Sequence, residues 1–252
     1  MEIKDELYIL SSVPQVLRAR DYRLYLSDNK RLVDLWLNGG AAIMGHTPAN
    51  QLRELKNTAS RGLYAPYPHF TENRLIKALS KLLPERVFRL YAAPPKELGA
   101  VKLWRPYADS QERGDEVLIP VIPGIQTWRG GLPFGLCAVA AQNEEAVSKL
   151  PPGDKLSPVL LSLAARGIHD IIAAPQRGKI QYSRIAKALK TGNWQRNGIY
   201  LTLKETPDMA GWETLFNKFL EAGFLLPPSP LYPLILPGEM SDGEEAKLTA
   251  AL

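Results

Sequence analysis

Short apolar strands alternate with amphipathic helices along most of this chain, and the alternation predicts an α/β fold whose last third is more α+β. Three observations carry that prediction. A strand–turn–strand pattern stands near the N-terminus, with Tyr22–Leu26 and Leu32–Trp36 alternating around Ser27-Asp28-Asn29. Apolar residues recur at helical spacing at Leu75, Ile76, Leu79 and Leu82, and again at Trp212, Leu215, Phe216, Phe219 and Leu220. Between these segments, Glu116–Ile122 and Phe134–Ala140 have the length and composition of buried strands, joined by a loop rich in Gly and Trp.

The remaining elements follow in order. Asn38-Gly39-Gly40 ends the hairpin in a flexible loop. Thr47-Pro48 reads as an N-cap followed by proline at the first helical position, with Leu52 and Leu55 on one face and Gly62 closing the helix. Ala65–Phe70 is a rigid, aromatic loop. Thr71 reads as the cap of the next helix, which Pro84 stops. Val87–Tyr107 reads as strand, tight loop and helix. Ser157-Pro158 starts a helix carrying Leu160, Leu161, Ala164 and Ile168; Tyr182–Lys190 is a short basic helix and Ile199–Leu203 a strand. Gly223 closes the helix around Trp212, "SPLYPLILP" holds a short strand, and Ser241 with Glu244 has capping-box spacing.

With 252 residues and 45% apolar content, the chain can build one large core or two smaller ones. The expected division is an N-terminal segment over 1–70, a reduced α/β domain over 71–190 and an α+β domain over 191–252. The net charge of +5 is spread over scattered Lys and Arg, which is no nucleic-acid footprint. No apolar run reaches the ~18–20 residues that a membrane span needs. The opening "MEIKDELYIL" is too acidic and charged for a secretory signal, and the single Cys137 fits a reducing, cytoplasmic setting. Three separated histidines and one cysteine make no metal-ligand cluster, and no Gly-x-Ser-x-Gly elbow or Walker loop is present.

Three blocks carry a resemblance to a known family: "YLSDNKRLVDLWLNGGAAIMGHTPANQLRELK", "GGLPFGLCAVA" (Gly130–Ala140), and "FNKFLEAGFLLPPSP" with "LILPGEMSDGEEAKL". Together they resemble class III aminotransferases, the pyridoxal-phosphate enzymes of fold type I, in that family's order. The resemblance implies a fold type I architecture with a truncated large domain and a small domain built from both chain ends. It also implies a dimer, either of this chain with itself or with a related aminotransferase.

Carried over residue by residue, the same resemblance implies losses. The family's phosphate cup, a serine-glycine-threonine turn before a helix, falls on Ala92, Ala93 and Pro94, with Pro95 next and Ala100–Arg105 as the matching helix. Hydroxyls and backbone N–H groups that would grip a phosphate are missing there. The Schiff-base lysine falls on Gln126, which cannot form an imine, and no lysine lies between Lys102 and Lys149. The cross-subunit threonine falls near Gly153. Asp115 in "DEV" stands only about ten residues before the lysine position, much closer than the family's ring-nitrogen aspartate, and reads as an accidental match. The substrate-carboxylate arginine has no counterpart in "LYPLILP". The expectation is a non-catalytic protein without cofactor, acting through dimerisation or ligand binding. The alternative is a pyridoxal-phosphate aminotransferase or aminomutase using a relocated lysine, for which Lys179 is the candidate against its plainer reading as a solvated loop residue.

Asn38, Gly39, Gly40, His46, Tyr67, His69 and Trp128 are the expected remains of a pocket. His46 reads as a structural histidine ahead of a helix start, with a base beside a pocket as the alternative. His69 reads equally as cleft lining or packed loop. His169 reads as a helix-end residue, Cys137 as core, and Asp34 as facing solvent. Trp128, beside the lysine position, could fill an emptied cofactor site.

Overall fold

The computed structural model describes residues 6–98, 102–110, 117–124, 127–129 and 132–252. Two compact units emerge: Met1–Thr47, Tyr107–Asp109 and Gln176–Leu252 form the first, and Pro48–Pro106 with Ser110–Pro175 the second. These breaks lie elsewhere than the 70 and 190 drawn from sequence.

Along the chain the described strands and helices are β1 (Val16–Arg20), β2 (Arg23–Leu26), β3 (Arg31–Asp34), α1 (Ala49–Ala59), α2 (Thr71–Leu82), β4 (Val87–Tyr91), β5 (Leu103–Trp104), β6 (Val117–Pro120), β7 (Thr127–Arg129), β8 (Leu132–Phe134), β9 (Cys137–Ala141), α3 (Glu144–Ser148), α4 (Pro158–Ala173), α5 (Ser183–Ala188), β10 (Trp194–Asn197), β11 (Tyr200–Leu203), α6 (Met209–Glu221), β12 (Phe224–Leu225), β13 (Leu234–Ile235) and α7 (Asp242–Ala251).

In the first unit β1, β2 and β3 form an antiparallel meander, and β12 adds in parallel to β3 with Phe224 opposite Val33 and Leu225 opposite Asp34. Both ends of the chain therefore build one sheet. A second antiparallel sheet runs β10-β11-β13. The core joins the inward face of the meander (Leu24, Leu32, Leu35) to aromatic side chains of α6 and its neighbours. Phe219 lies 6.5 Å from Phe224 in an edge-on arrangement. The predicted capping box forms in full. The Ser241 side chain accepts from Glu244 N, and Glu244 accepts from Ser241 N at 2.8 Å. The same carboxylate takes Arg23 in a two-pronged ion pair at 2.8 and 3.0 Å, which ties α7 to β2.

In the second unit the sheet order is β4-β9-β6-β5. β9 is antiparallel to both neighbours, while β5 is parallel to β6, so the sheet is mixed. Every residue of β9 is buried, as a central strand of small and β-branched residues permits. Helices α1 and α2 pack on α4, and Leu75, Leu79, Leu161, Ala165 and Ile168 close over Leu90, Leu118 and Ala138 of the sheet. Asn143, Ser157 and Asp208 cap α3, α4 and α6 through their side chains.

Several expectations are corrected. No helix occupies 102–105: a single 3-10 turn at Lys96–Leu98 leads to strand β5, because parallel pairing of Leu103 with Ile119 claims the segment. Ala100 and Val101 lie outside the described residues. α1 starts at Ala49 with Pro48 as its cap residue, and it buries Gln51 and Thr58 rather than Leu52, which is 42% exposed. Thr71 is the first residue of α2 and not its cap; the ring of His69 stands at its backbone N–H instead. The Gly- and Trp-rich connection is a small hairpin, β7 with β8. β1, β10, β12 and α3 had no signal in the sequence reading, being short, exposed in part or dependent on distant partners.

Candidate functional site

Four consecutive residues after β3, Leu37, Asn38, Gly39 and Gly40, have positive φ (48°, 49°, 64° and 105°). Two glycines make half of that left-handed turn free of strain, but Leu37 and Asn38 each carry a cost of roughly 1–2 kcal/mol. Asp34 offsets it. Its carboxylate is 2% exposed, and Oδ1 accepts from Trp36 N at 2.8 Å and Leu37 N at 2.9 Å. Oδ2 lies 2.9 Å from Nε2 of His46. A carboxylate only accepts, so Nε2 carries the hydrogen of this contact. Asp34 therefore does not face solvent as expected: it anchors the turn and orients His46.

The loop from Leu37 to His46 is held from two more directions. Gly45 has φ of +92°, and a Cβ there would come within 3.2 Å of the Asp21 backbone, to which His46 N donates at 2.7 Å. Arg177, 4% exposed, donates from Nε to Ile43 O at 3.2 Å and from Nη2 to Leu236 O, with its guanidinium 5.4 Å from the Tyr22 ring. Nothing in the sequence singles out Arg177, because its partners are backbone carbonyls far away in the chain.

Asp34, Trp36, Asn38 and His46 line a pocket of about 330 Å³ within the first unit. Leu10, Val13, Val16, Leu24 and Leu225 supply apolar wall, and Pro14 and Gln15 complete the lining. Neither lysine nor arginine is among the described residues that line it. Trp36 contributes aromatic carbon, since its Nε1 is buried and has no hydrogen-bond partner among the described residues. Asn38 and His46 both line this pocket, with Gly39 and Gly40 in the turn between them.

The positions matched to the phosphate cup lie in the second unit, where β4 ends. Ala92 N donates to Oδ2 of Asp154 at 2.8 Å, and Ala92 O accepts from Gly135 N at 2.8 Å. Ala93, Pro94 and Pro95 follow in irregular backbone. Gly153, matched to the cross-subunit threonine, stands beside Leu90 of the same chain, because the segment 150–154 runs along the edge of β4. Asp154 N donates to Leu90 O at 2.9 Å, Arg89 to Leu150 O at 2.6 Å, and Tyr91 to Pro151 O at 2.7 Å. A Cβ on Gly153 would stand 2.8 Å from Leu90 O, so no larger side chain fits without movement.

The other expected residues scatter. Tyr67 is 57% exposed, and His69 places Nδ1 3.1 Å from Thr71 Oγ1 with its ring 4.2 Å from Phe70. Trp128 is 4% exposed on β7. Gln126 and Asp115 lie outside the described residues. His169 sits inside α4 near its end, where burial followed by nearby Arg166 lowers its pKa. Cys137 is buried, and burial alone pushes its thiol up to about 12. Lys179 is exposed at the end of a 3-10 turn.

No family model matches the chain. An uncharacterized protein of Borreliella burgdorferi is 26% identical over 256 residues, covering 95% of this chain and 90% of its own length. Another of Treponema pallidum is 28% identical over 181 residues, covering 65% and 55%. Among solved structures, ornithine aminotransferase from Plasmodium yoelii superposes with a TM-score of 0.67 at 11% identity, covering 94% of this chain and 91% of that one. Acetylornithine aminotransferase from Elizabethkingia anophelis gives 0.64 at 12% identity over 98% of each chain, and an omega-transaminase from Sphaerobacter thermophilus 0.63 at 12% over 94% and 89%. The chain has an aminotransferase-like fold.

Proposed function

We propose that this chain is a reduced, aminotransferase-like protein that performs no pyridoxal-phosphate chemistry and acts through association or ligand binding. One observation carries the reading: at the cup position the chain's own carboxylate, Asp154, takes the Ala92 N–H that a phosphate would need. A phosphate dianion there would meet a negative charge instead of a donor. Pro94 and Pro95 offer no N–H, and β5 replaces the helix whose N-terminal dipole would favour an anion. Several charge-assisted hydrogen bonds, each worth about 1.5–3 kcal/mol, are therefore missing together. Gln126 lacks the amine that would hold the cofactor's aldehyde. These residues do not fit pyridoxal phosphate.

Association is supported by a run of exposed aromatic side chains, Tyr64, Tyr67 and Phe70, at 65%, 57% and 61% exposure. The partner proposed is a second copy of this chain or a related aminotransferase.

The test is to mix the purified protein with pyridoxal phosphate, reduce with borohydride and map adducts by mass spectrometry. Expected is sparse labelling spread over surface lysines. A stoichiometric adduct at one lysine would overturn the proposal. Light scattering after size-exclusion chromatography checks association, and a monomer alone and with candidate paralogues would leave only the ligand-binding half.

A further inference from the structure

We infer that the free edge of β1, together with the apolar pocket beside it, binds an extended acidic segment of another protein as an added strand. The inference goes beyond the proposed function and rests neither on the loss of the cofactor nor on self-association. Its first support is the open edge. β1 is the outermost strand of its sheet, and among the described residues no strand pairs with its other side. Such an edge presents unpaired N–H and C=O groups as a template. The register shift between Val16 and Arg18 bulges Leu17, which is 66% exposed, so the template narrows to Arg18–Arg20. Pro14, Gln15 and Val16, just before it, line the pocket of about 330 Å³.

The two faces of β1 select the side chains. Val16 and Ala19 stand opposite the buried Leu26 and Leu24 and share the inner face with the pocket; Arg18 and Arg20 stand opposite Tyr25 and Arg23 on the outer face. Side chains of an added strand alternate in the same way. Its inward positions are apolar, to match the pocket wall of Leu10, Val13, Val16, Leu24 and Leu225. Its outward positions are acidic. Arg20 already has Asp21 at 3.5 Å, but the Arg18 guanidinium lies 4.2 Å from the Tyr25 ring and meets no carboxylate among the described residues. Arg31, opposite Tyr25 on β3 and 3.3 Å from Glu244, continues the row. The same charges disfavour a second copy on this edge. Antiparallel pairing of two β1 strands centred on Ala19 sets Arg18 against Arg20, and centred on Arg18 sets that residue against itself; like charges directly opposite destabilise a sheet.

The experiment titrates a trace of fluorescein-labelled short peptide with the full-length protein at low salt and follows anisotropy. The probe alternates glutamate with phenylalanine. Its controls carry lysine for every glutamate, alanine for every phenylalanine, or N-methyl groups on successive amides, which remove the strand donors. Expected is saturable binding of the probe with Kd below about 1 mM, each control being weaker by about fivefold or more. Arg18→Glu, at an exposed position outside the pocket lining, is expected to reverse the preference between the glutamate and lysine peptides by about fivefold or more with the melting temperature unchanged. Hydrogen exchange should show the amides of Val16–Arg20 protected by the probe. Absence of binding, equal binding by any control, an unchanged preference in Arg18→Glu or unprotected β1 amides would each overturn the inference. So would protection of β1 on raising the protein concentration alone, which would give the edge to a second copy. Borohydride labelling and light scattering report on the cofactor and on self-association, so failure of this inference is distinguishable from failure of the proposed function.

Discussion

Removing the Asp34 carboxylate should be among the most damaging single changes in the first unit. The side chain is 2% exposed and makes three hydrogen bonds, to Trp36 N at 2.8 Å, Leu37 N at 2.9 Å and His46 Nε2 at 2.9 Å. Bonds to a charged acceptor are worth about 1.5–3 kcal/mol each, and they do not add when they share one group. Asp34→Ala would strip the acceptor from two backbone donors and a ring nitrogen, and it would release a turn in which Leu37 and Asn38 hold strained φ values. The expected loss is about 4 kcal/mol, which for a chain of this length is roughly 10 °C in Tm. Asp34→Asn separates the causes. Its amide oxygen can keep both backbone bonds, and its NH2 can donate to His46 in the other tautomer, so the expected loss is only about 1–2 kcal/mol. Urea unfolding followed by circular dichroism measures both. Alanine within about 1 kcal/mol of the native chain, or asparagine as harmful as alanine, would refute the argument that buried hydrogen bonding dominates here.

Three further outcomes follow from the same geometry. Glu244 is held down to about 2 by its hydrogen bonds to Arg23 and its place in the capping box. A depressed folded-state pKa stabilises above the unfolded value near 4.5 and is lost as pH falls towards 2, so Glu244→Gln should flatten acid unfolding in that window by circular dichroism. Cys137, buried with its thiol up at about 12, should resist a disulfide-exchange reagent at neutral pH and react only when urea unfolds the chain, as the released chromophore reports. Gly153→Thr, which installs the residue type that the resemblance places there, should cost about 1–3 kcal/mol and create no phosphate site, because its Cβ meets Leu90 O at 2.8 Å; a thermal melt in phosphate buffer checks both.

Local chemistry was legible wherever a residue's role is settled by its near neighbours. Ser241 with Glu244 announced a capping box, Ser157-Pro158 a helix start, and the Tyr22–Trp36 alternation a hairpin, since each depends on partners a few residues away. The resemblance in "MGH" and its flanks also led to the aminotransferase-like fold. What could not be read were features closed by distant chain. Asp34 looked like a polar strand residue until the loop returned His46 to it and β12 covered its strand. Leu103-Trp104 read from the sequence as part of a helix but pairs with β6, and pairing across the sheet outweighs local propensity.

By itself the sequence determined which groups this protein has to work with: no hydroxyls and no N–H at Pro94 and Pro95, no amine at Gln126, and an imidazole at His46. Tertiary structure alone decided where charge is placed. It brought Asp154 onto the Ala92 N–H and Asp34 onto the His46 ring, because a carboxylate is paired with donors that are near in space, however far away they lie in the chain.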